Sequence, residues 1–292
     1  MKMRVRKAVI PAAGLGTRML PAAKAVPKEM MPIVDKPAMQ YQIEEAVASG
    51  ITDILIITNR GKESIEDYFD FSPEYEKHLE MKGKTAELES LRAIANMANI
   101  TFIRQKEAKG LGHAVLCAKS FIGNEPFAVL YGDDLIEAHK PTTKSLIEIY
   151  EKYGKGVVGV SKVAPELIHK YCSLKVDKIE DRIFSCTDMI EKPTPDKVMS
   201  YYSILGRVVL PPEIFQLLET SKPGFGGEIQ LTDSMAELAR RTGVMAYEFP
   251  GTHHDLGSKL GLLKANISYG VKHDEIGEDF RQWLKNYVKE NL

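Results

Sequence analysis

The 292 residues carry 39 Lys and Arg against 40 Asp and Glu, a formal net charge of −1 at pH 7. That balance gives no global field toward nucleic acid or an anionic membrane, so any positive charge that matters is local. The length suits one large α/β domain or two small ones, and an odd set of 3 cysteines without CxxC spacing fits a reducing cytoplasm rather than a disulfide framework or zinc site.

The N-terminal run Met1-Lys2-Met3-Arg4-Val5-Arg6-Lys7 is basic, but the apolar stretch behind it is strand-length and stops at Pro11, too short for a signal peptide. No segment is long enough to span a bilayer. Strand patterns at 7–10, 53–58, 101–104 and 127–131 alternate with helical patterns at 38–49, 62–69, 85–97 and 111–119. The alternation predicts an α/β fold: a Rossmann-like, doubly wound, mostly parallel mixed sheet with ligands at the carboxyl ends of its strands. The charged stretch 72–99 reads as a helical insertion covering the sheet. The second half is richer in strand, at 156–163, 173–178, 182–190, 202–210 and 244–249, with helices at 212–220, 232–242, 258–270 and 275–288. Pro211-Pro212 marks a helix start. The glycine-rich 222–227 is a flexible loop able to close over a substrate. On the last helix Phe280, Trp283, Leu284, Tyr287 and Val288 fall at helical spacing, and suit either packing on their own domain or a subunit interface.

The most informative stretch lies between Val9 and Lys36. A strand breaks at Pro11 into a loop whose Gly14 and Gly16 let backbone amides approach a ligand, and Arg18 and Lys28 place two cations within reach. This is a site for a polyanion, most simply a nucleotide polyphosphate. No G-x-x-x-x-G-K-[ST] string occurs, which excludes a Walker loop. Met19 occupies the third glycine position of a dinucleotide fingerprint, and Pro21, Pro27 and Pro32 forbid an uninterrupted helix behind it. Arg18 suits a triphosphate because guanidinium forks onto phosphate oxygens, while Lys28 supplies a point charge to the α-phosphate. Asp133 and Asp134 follow a strand directly; Asp133 is the better Mg²⁺ ligand, and Asp134 caps or braces its loop. The tandem His253-His254 lacks distant partners for zinc and reads as packing or hydrogen bonding.

G-x-G-T-R followed by P-K-E-M-x-P is the signature of sugar-nucleotide pyrophosphorylases, and the whole chain resembles the bacterial UTP–glucose-1-phosphate uridylyltransferases. Further matches, in the family's order, are Gln105 with Lys109-Gly110-Leu111-Gly112-His113-Ala114, Gly132-Asp133-Asp134, Glu191-Lys192-Pro193, Gly206-Arg207, Gly227 to Asp233, and His254-Asp255-Leu256-Gly257. The resemblance implies attack by the phosphate oxygen of a sugar 1-phosphate on the α-phosphorus of a nucleoside triphosphate, releasing pyrophosphate. No covalent intermediate is required, so positioning, cations and a metal carry the catalysis.

By the same resemblance, Arg18, Lys28 and Lys192 are catalytic, and Ala12, Ala13, Gly14, Gly16, Gln105, Gly110 and Asp133 bind the nucleotide. Cys172, Glu191 and Lys192 face the sugar phosphate, and Asp133 and Asp255 hold Mg²⁺. Implied reactants are UTP and glucose 1-phosphate, with UDP-glucose as product, in a cytoplasmic homo-oligomer (dimer or tetramer) that binds neither nucleic acid nor membrane. One nucleotidyltransferase domain is expected over 1–292, comprising a nucleotide-binding half (1–140), a sugar-phosphate-binding half (141–260) and C-terminal helices (261–292) that offer an oligomer contact.

Two departures fall near the expected sugar pocket. The family usually has Tyr-Gly where this chain has Tyr171-Cys172, and an Asn where Tyr201 aligns. One polar contact left unpaired is worth ~1–3 kcal/mol, enough to alter hexose preference. Another nucleotide such as dTTP, another hexose 1-phosphate, or a retired homologue that binds UDP-sugar without turnover therefore remain as alternatives.

Overall fold

Strand β1 (Lys7–Pro11) lies at the middle of the computed structural model, which describes residues 4–291; Met1 to Met3 of the basic N-terminal run lie outside the described residues. The other strands are β2 (Pro32–Ile33), β3 (Lys36–Pro37), β4 (Asp53–Thr58), β5 (Asn99–Arg104), β6 (Phe127–Leu130), β7 (Asp134–Glu137), β8 (Val157–Lys162), β9 (Cys172–Glu180), β10 (Ile183–Glu191), β11 (Tyr202–Leu210), β12 (Val244–Glu248) and β13 (Thr252–Asp255). A 9-stranded sheet runs in the order β5-β4-β1-β6-β11-β8-β12-β10-β9. Only β11 and β10 run against the others, so the sheet is mixed but mostly parallel, as expected.

The run Ala8-Val9-Ile10 is apolar without alternation because β1 is covered on both faces. Val9 packs on one side with Val115, Phe127 and Phe215, and Ile10 on the other with Met39, Ile43 and Leu146. The first face is covered by α5 (Leu111–Leu116), α6 (Lys119–Ile122), α8 (Ile214–Thr220) and α9 (Leu231–Thr242). The second is covered by α1 (Ala38–Ala48), α2 (Glu63–Phe69) and α7 (Thr142–Tyr153). The insertion is not one helix but two, α3 (Pro73–Met81) and α4 (Thr85–Ala95), broken at Gly83 with φ +65°. The C-terminal helices are α10 (Lys259–Gly270) and α11 (Gly277–Asn291).

Several elements escape the sequence pattern, α7, β7 and β13 among them. Helix α7 was not expected; it opens on Thr142-Thr143, and its first turn is held from outside, the Glu45 carboxylate accepting from the Thr143 amide at 3.0 Å and hydroxyl at 2.7 Å. Strands β7 and β13 form a separate 2-stranded antiparallel sheet, too short and polar to show as strands.

The topology fixes where a ligand can go. β1 has β4 on one flank and β6 on the other, so the winding reverses between β1 and β6. Loops leaving those two strands must diverge, which opens a crevice at their carboxyl ends.

Candidate active site

The loop after β1 and the loop after β6 line a cavity of about 550 Å³ in that crevice. Its walls carry Ala13, Gly14, Gly16, Arg18, Lys28, Gln105, Gly110 and Asp133, and so unite most of the residues picked for the nucleotide. Ala12 is buried behind this wall, its amide donating to the Ile57 carbonyl at 2.8 Å. The Lys28 ammonium passes below the glycine turn, 3.9 Å from where a Gly14 Cβ would stand, and donates to Asp133 Oδ2 at 2.6 Å. Gln105 is buried, with its Nε2 3.2 Å from the Gly110 carbonyl and 2.9 Å from His113 Nδ1.

Gly110 is required by geometry. Its φ is +97°, and a Cβ there would lie 2.8 Å from the Ile229 carbonyl. That closeness arises because 229 pairs with this loop: the Gly112 amide donates to Ile229 O and the Ile229 amide to Lys109 O, each at 2.8 Å. The segment from Gly227 to Asp233 therefore braces the Gln105–Gly110 wall, and Glu228 itself lines the cavity.

A second cavity of about 640 Å³ shares Arg18 and Asp133 with the first and adds Tyr171, His253 and Asp255. The β7–β13 ladder pairs Asp255 with Asp134 and so brings a carboxylate from the far end of the sequence beside Asp133. Arg18 Nη2 lies 3.7 Å from Asp133 Oδ2, and Nη1 3.4 Å from Asp255 Oδ2. Burial alone would push the Asp133 carboxyl up, but the Lys28 ammonium, then Arg18, hold it below its ordinary value. For Lys28, burial is outweighed by Asp133 and Glu29, so its ammonium form is favoured.

Gly257 keeps the space between the two carboxylates open. A Cβ there would stand 2.8 Å from Asp133 Oδ2, 3.0 Å from Asp255 Oδ1 and 2.6 Å from Arg18 Nη2. Among the described residues no group of three His, Cys, Asp or Glu gathers to hold a metal, and the carboxylates that flank this space are those of Asp133 and Asp255. That donor set fits Mg²⁺, which keeps several waters and takes substrate phosphates as its remaining ligands.

Asp134 lines the second cavity as well, but its carboxylate is engaged by His253. Its Oδ1 is 2.5 Å from His253 Nε2, and burial pushes its carboxyl up against the opposing effect of that histidine. His254 Nε2 lies 3.3 Å from Glu137 Oε2, so each histidine of the tandem pair meets a carboxylate across the β7–β13 ladder.

Glu191 and Lys192 leave the end of β10, next to the start of β9, where Glu191 is the ladder partner of Cys172. They line neither cavity. Glu191 Oε2 accepts from Thr232 Oγ1 at 2.9 Å, and burial pushes its carboxyl up. Lys192 has φ +45°, unusual for a residue with a side chain, and is fixed there by its amide donating to the Tyr171 carbonyl at 2.8 Å. Its ammonium sits over the Phe225 ring, 4.7 Å from the centroid, in the glycine-rich loop expected to be mobile. Cys172 turns inward: its Sγ is 3.3 Å from Ser203 Oγ, and burial pushes the thiol up to about 11. Tyr201 is 47% exposed and lines neither cavity.

The nucleotidyl transferase family model matches residues 7–270, nearly the whole sheet and both carboxylate loops. The chain belongs to this family. It is 50% identical over 289 residues, 99% of this chain and 97% of the relative, to UTP--glucose-1-phosphate uridylyltransferase YngB of Bacillus subtilis (strain 168). A second protein of that organism named UTP--glucose-1-phosphate uridylyltransferase is 48% identical over 98% of each chain. Among solved structures, UDP-glucose pyrophosphorylase complexed with UDP-glucose superposes with TM-score 0.84 at 41% identity, covering 92% of this chain and 100% of that one. The UTP-bound UGPase from Acinetobacter baumannii gives TM-score 0.87 at 40% identity, covering 96% and 98%.

Several further residues hold this nucleotidyl transferase site together, and of them only Arg207, in the Gly206-Arg207 match, stands out from the sequence. Arg207 is buried, donates to Glu45 Oε2 at 2.8 Å and to the Asp134 carbonyl at 3.0 Å, and so fixes the loop bearing both aspartates. Gln42 Nε2 holds the Gly132 carbonyl at 2.9 Å. Lys62, just past β4, reaches the Ala12 carbonyl and Glu29. For Lys62 the one available signal is its place at the carboxyl end of a parallel strand, where ligand sites form.

Proposed function

We propose that this chain is a UTP–glucose-1-phosphate uridylyltransferase that forms UDP-glucose and pyrophosphate. The observation that carries the reading is the meeting of Lys28, Arg18, Asp133 and Asp255 at the switch point between β1 and β6, in a chain that matches uridylyltransferases end to end. A phosphate oxygen of glucose 1-phosphate attacks the α-phosphorus of UTP in line; that P–O bond forms as the bond to pyrophosphate breaks. Both reactants are anions, so repulsion and misorientation dominate the barrier.

Arg18 and Lys28 take the triphosphate, with Lys28 turning from Asp133 to the α-phosphate and Arg18 neutralising charge on the departing pyrophosphate. Ala12, Ala13, Gly14 and Gly16 present backbone to the nucleotide, and Gln105 and Gly110 receive the uracil, an amide offering both donor and acceptor to a pyrimidine edge. Glu191 accepts hydrogen bonds from sugar hydroxyls, Lys192 binds the sugar phosphate, and Cys172 contributes backbone beside the hexose. Asp133 and Asp255 would hold Mg²⁺, which when bound offsets phosphate charge and helps align the reacting groups.

The free thiols Cys117, Cys172 and Cys186 accord with a reducing cytoplasm. Among the described residues no helix is long and apolar enough to cross a membrane. A homo-oligomer, dimer or tetramer, is part of this reading. Trp283, Tyr287 and Val288 stay exposed on α11, and Leu260, Leu263 and Ile267 on α10, and offer it apolar side chains.

Pyrophosphate release from UTP or dTTP, paired with a set of hexose 1-phosphates with and without Mg²⁺, tests the proposal. UTP with glucose 1-phosphate should be preferred and should need the metal. Preference for dTTP, indifference to glucose 1-phosphate, or UDP-glucose binding without turnover would each contradict it.

A further inference from the structure

We infer that Lys62, acting with Glu29, is a positioning residue for the phosphate end of the site, locking the Ala12 carbonyl and the Lys28 backbone into one unit. Lys62 stands at the start of α2, and its side chain is 7% exposed, while that of Glu29 is 0% exposed. Its ammonium donates to Glu29 Oε2 at 2.8 Å and also to the Ala12 carbonyl. Ala12 is the first residue beyond β1, and Glu29 is the residue after Lys28. Glu29 Cγ also lies 3.5 Å from where a Gly132 Cβ would stand, directly before Asp133. One ammonium thus ties the start of the glycine turn to the residue beside Lys28, with the Glu29 side chain close to the loop that carries Asp133.

The pair is a poor choice for stability alone. Two charges are taken out of water, and an apolar pair of similar volume commonly holds a core as well or better. Glu29 Oε1 has no hydrogen-bond partner among the described residues, which adds to the cost. Burial pushes the Glu29 carboxyl up and the Lys62 ammonium down, as expected for charges held against their own solvation. What the pair supplies, and a hydrophobic plug does not, is direction. The Ala12 carbonyl is fixed, and Glu29 anchors the backbone from which Lys28 must swing between Asp133 and a phosphate. Holding a catalytic cation within a fraction of an ångström is the task of such supporting contacts.

The inference rests on Lys28 acting on the nucleotide, so the test is a thermodynamic cycle with that residue. Lys62→Met is combined with Glu29→Gln so that no buried charge is left alone, and the pair is introduced into the native chain and into Lys28→Ala. In the native background, kcat should fall ~10–100-fold, the scale of a misplaced reacting group, while KM for UTP changes less than ~3-fold. In the Lys28→Ala background the pair should cost less than ~2-fold more, because the group it positions is gone. Folding of each variant is checked by circular dichroism and thermal melting. Glu29→Gln alone, nearly isosteric, should lower kcat in the same direction by a smaller factor even if the double change melts early.

Multiplicative effects in the combined variant, a loss that tracks only the folded fraction, or unchanged kcat in Glu29→Gln would overturn the positioning role. Full kcat in Lys28→Ala would overturn the Lys28 assignment, and the role of Lys62 with it.

Discussion

At the carboxyl ends of β1 and β6 the charged side chains meet one another: Lys28 on Asp133, and Arg18 between Asp133 and Asp255. Where β9 begins and β10 ends they barely do. Glu191 and Lys192 stand 4.0 Å apart, Glu191 is bonded through Thr232, and Lys192 rests on an aromatic ring. The phosphate end is thus assembled with its charges mutually compensated, so a ligand must exchange internal ion pairs for new ones. The other end holds single groups on a backbone ladder. Changes at the first should act on the reaction as a whole, whereas changes at the second should be graded and specific to the sugar.

The most severe break should come from Asp133→Asn. It removes the carboxylate shared by Lys28, Arg18 and the proposed metal, and a loss of several kcal/mol of transition-state stabilisation means ~10³-fold or more in kcat. Steady-state rates across a Mg²⁺ series measure this; unchanged metal dependence would refute the ligand assignment.

Next comes the support under that loop. Glu45→Ala strands the buried Arg207 guanidinium and should cost ~3–5 kcal/mol in denaturant unfolding. Burial would raise the Glu45 carboxyl, but Arg207 and Thr143 hold it below its ordinary 4.5. The stabilisation is therefore whole above pH 4.5 and is lost as pH falls through the lower folded value. A melting-temperature profile in acid should be flatter for the variant than for the native chain.

The smallest effects belong at the sugar end. Cys172→Gly should destabilise the strand by ~0.5–1 kcal/mol and shift the glucose-to-galactose preference less than ~10-fold. Tyr201→Asn, on an exposed side chain, should change neither stability nor preference beyond ~0.5 kcal/mol. A large preference change at Tyr201 would show that the sugar site reaches this exposed side chain.

The phosphate end was legible because its parts are local. A strand, a glycine turn and two cations lie within 30 residues or so of one another, and glycine and proline declare their backbone needs in any context. The alternating first half likewise announced its parallel sheet. What stayed hidden depends on contacts distant in sequence. The resemblance marks Asp255, but its approach to Asp133 through the short β7–β13 ladder does not show in the sequence, and α7 is steadied at its first turn by Glu45 from α1. Arg207 stands out only through the Gly206-Arg207 match and Lys62 through no motif at all, because their partners Glu45 and Glu29 come together with them only in the fold. Tyr201, which alignment places near the sugar pocket, has a side chain 47% exposed.

Lys192→Ala tests the division between the two ends most directly, with KM measured separately for glucose 1-phosphate and UTP and UTP affinity by calorimetry. KM for glucose 1-phosphate should rise ~10-fold or more, about the worth of one charge-assisted hydrogen bond, with UTP affinity within ~2-fold of the native chain. Equal losses for both substrates would contradict the account.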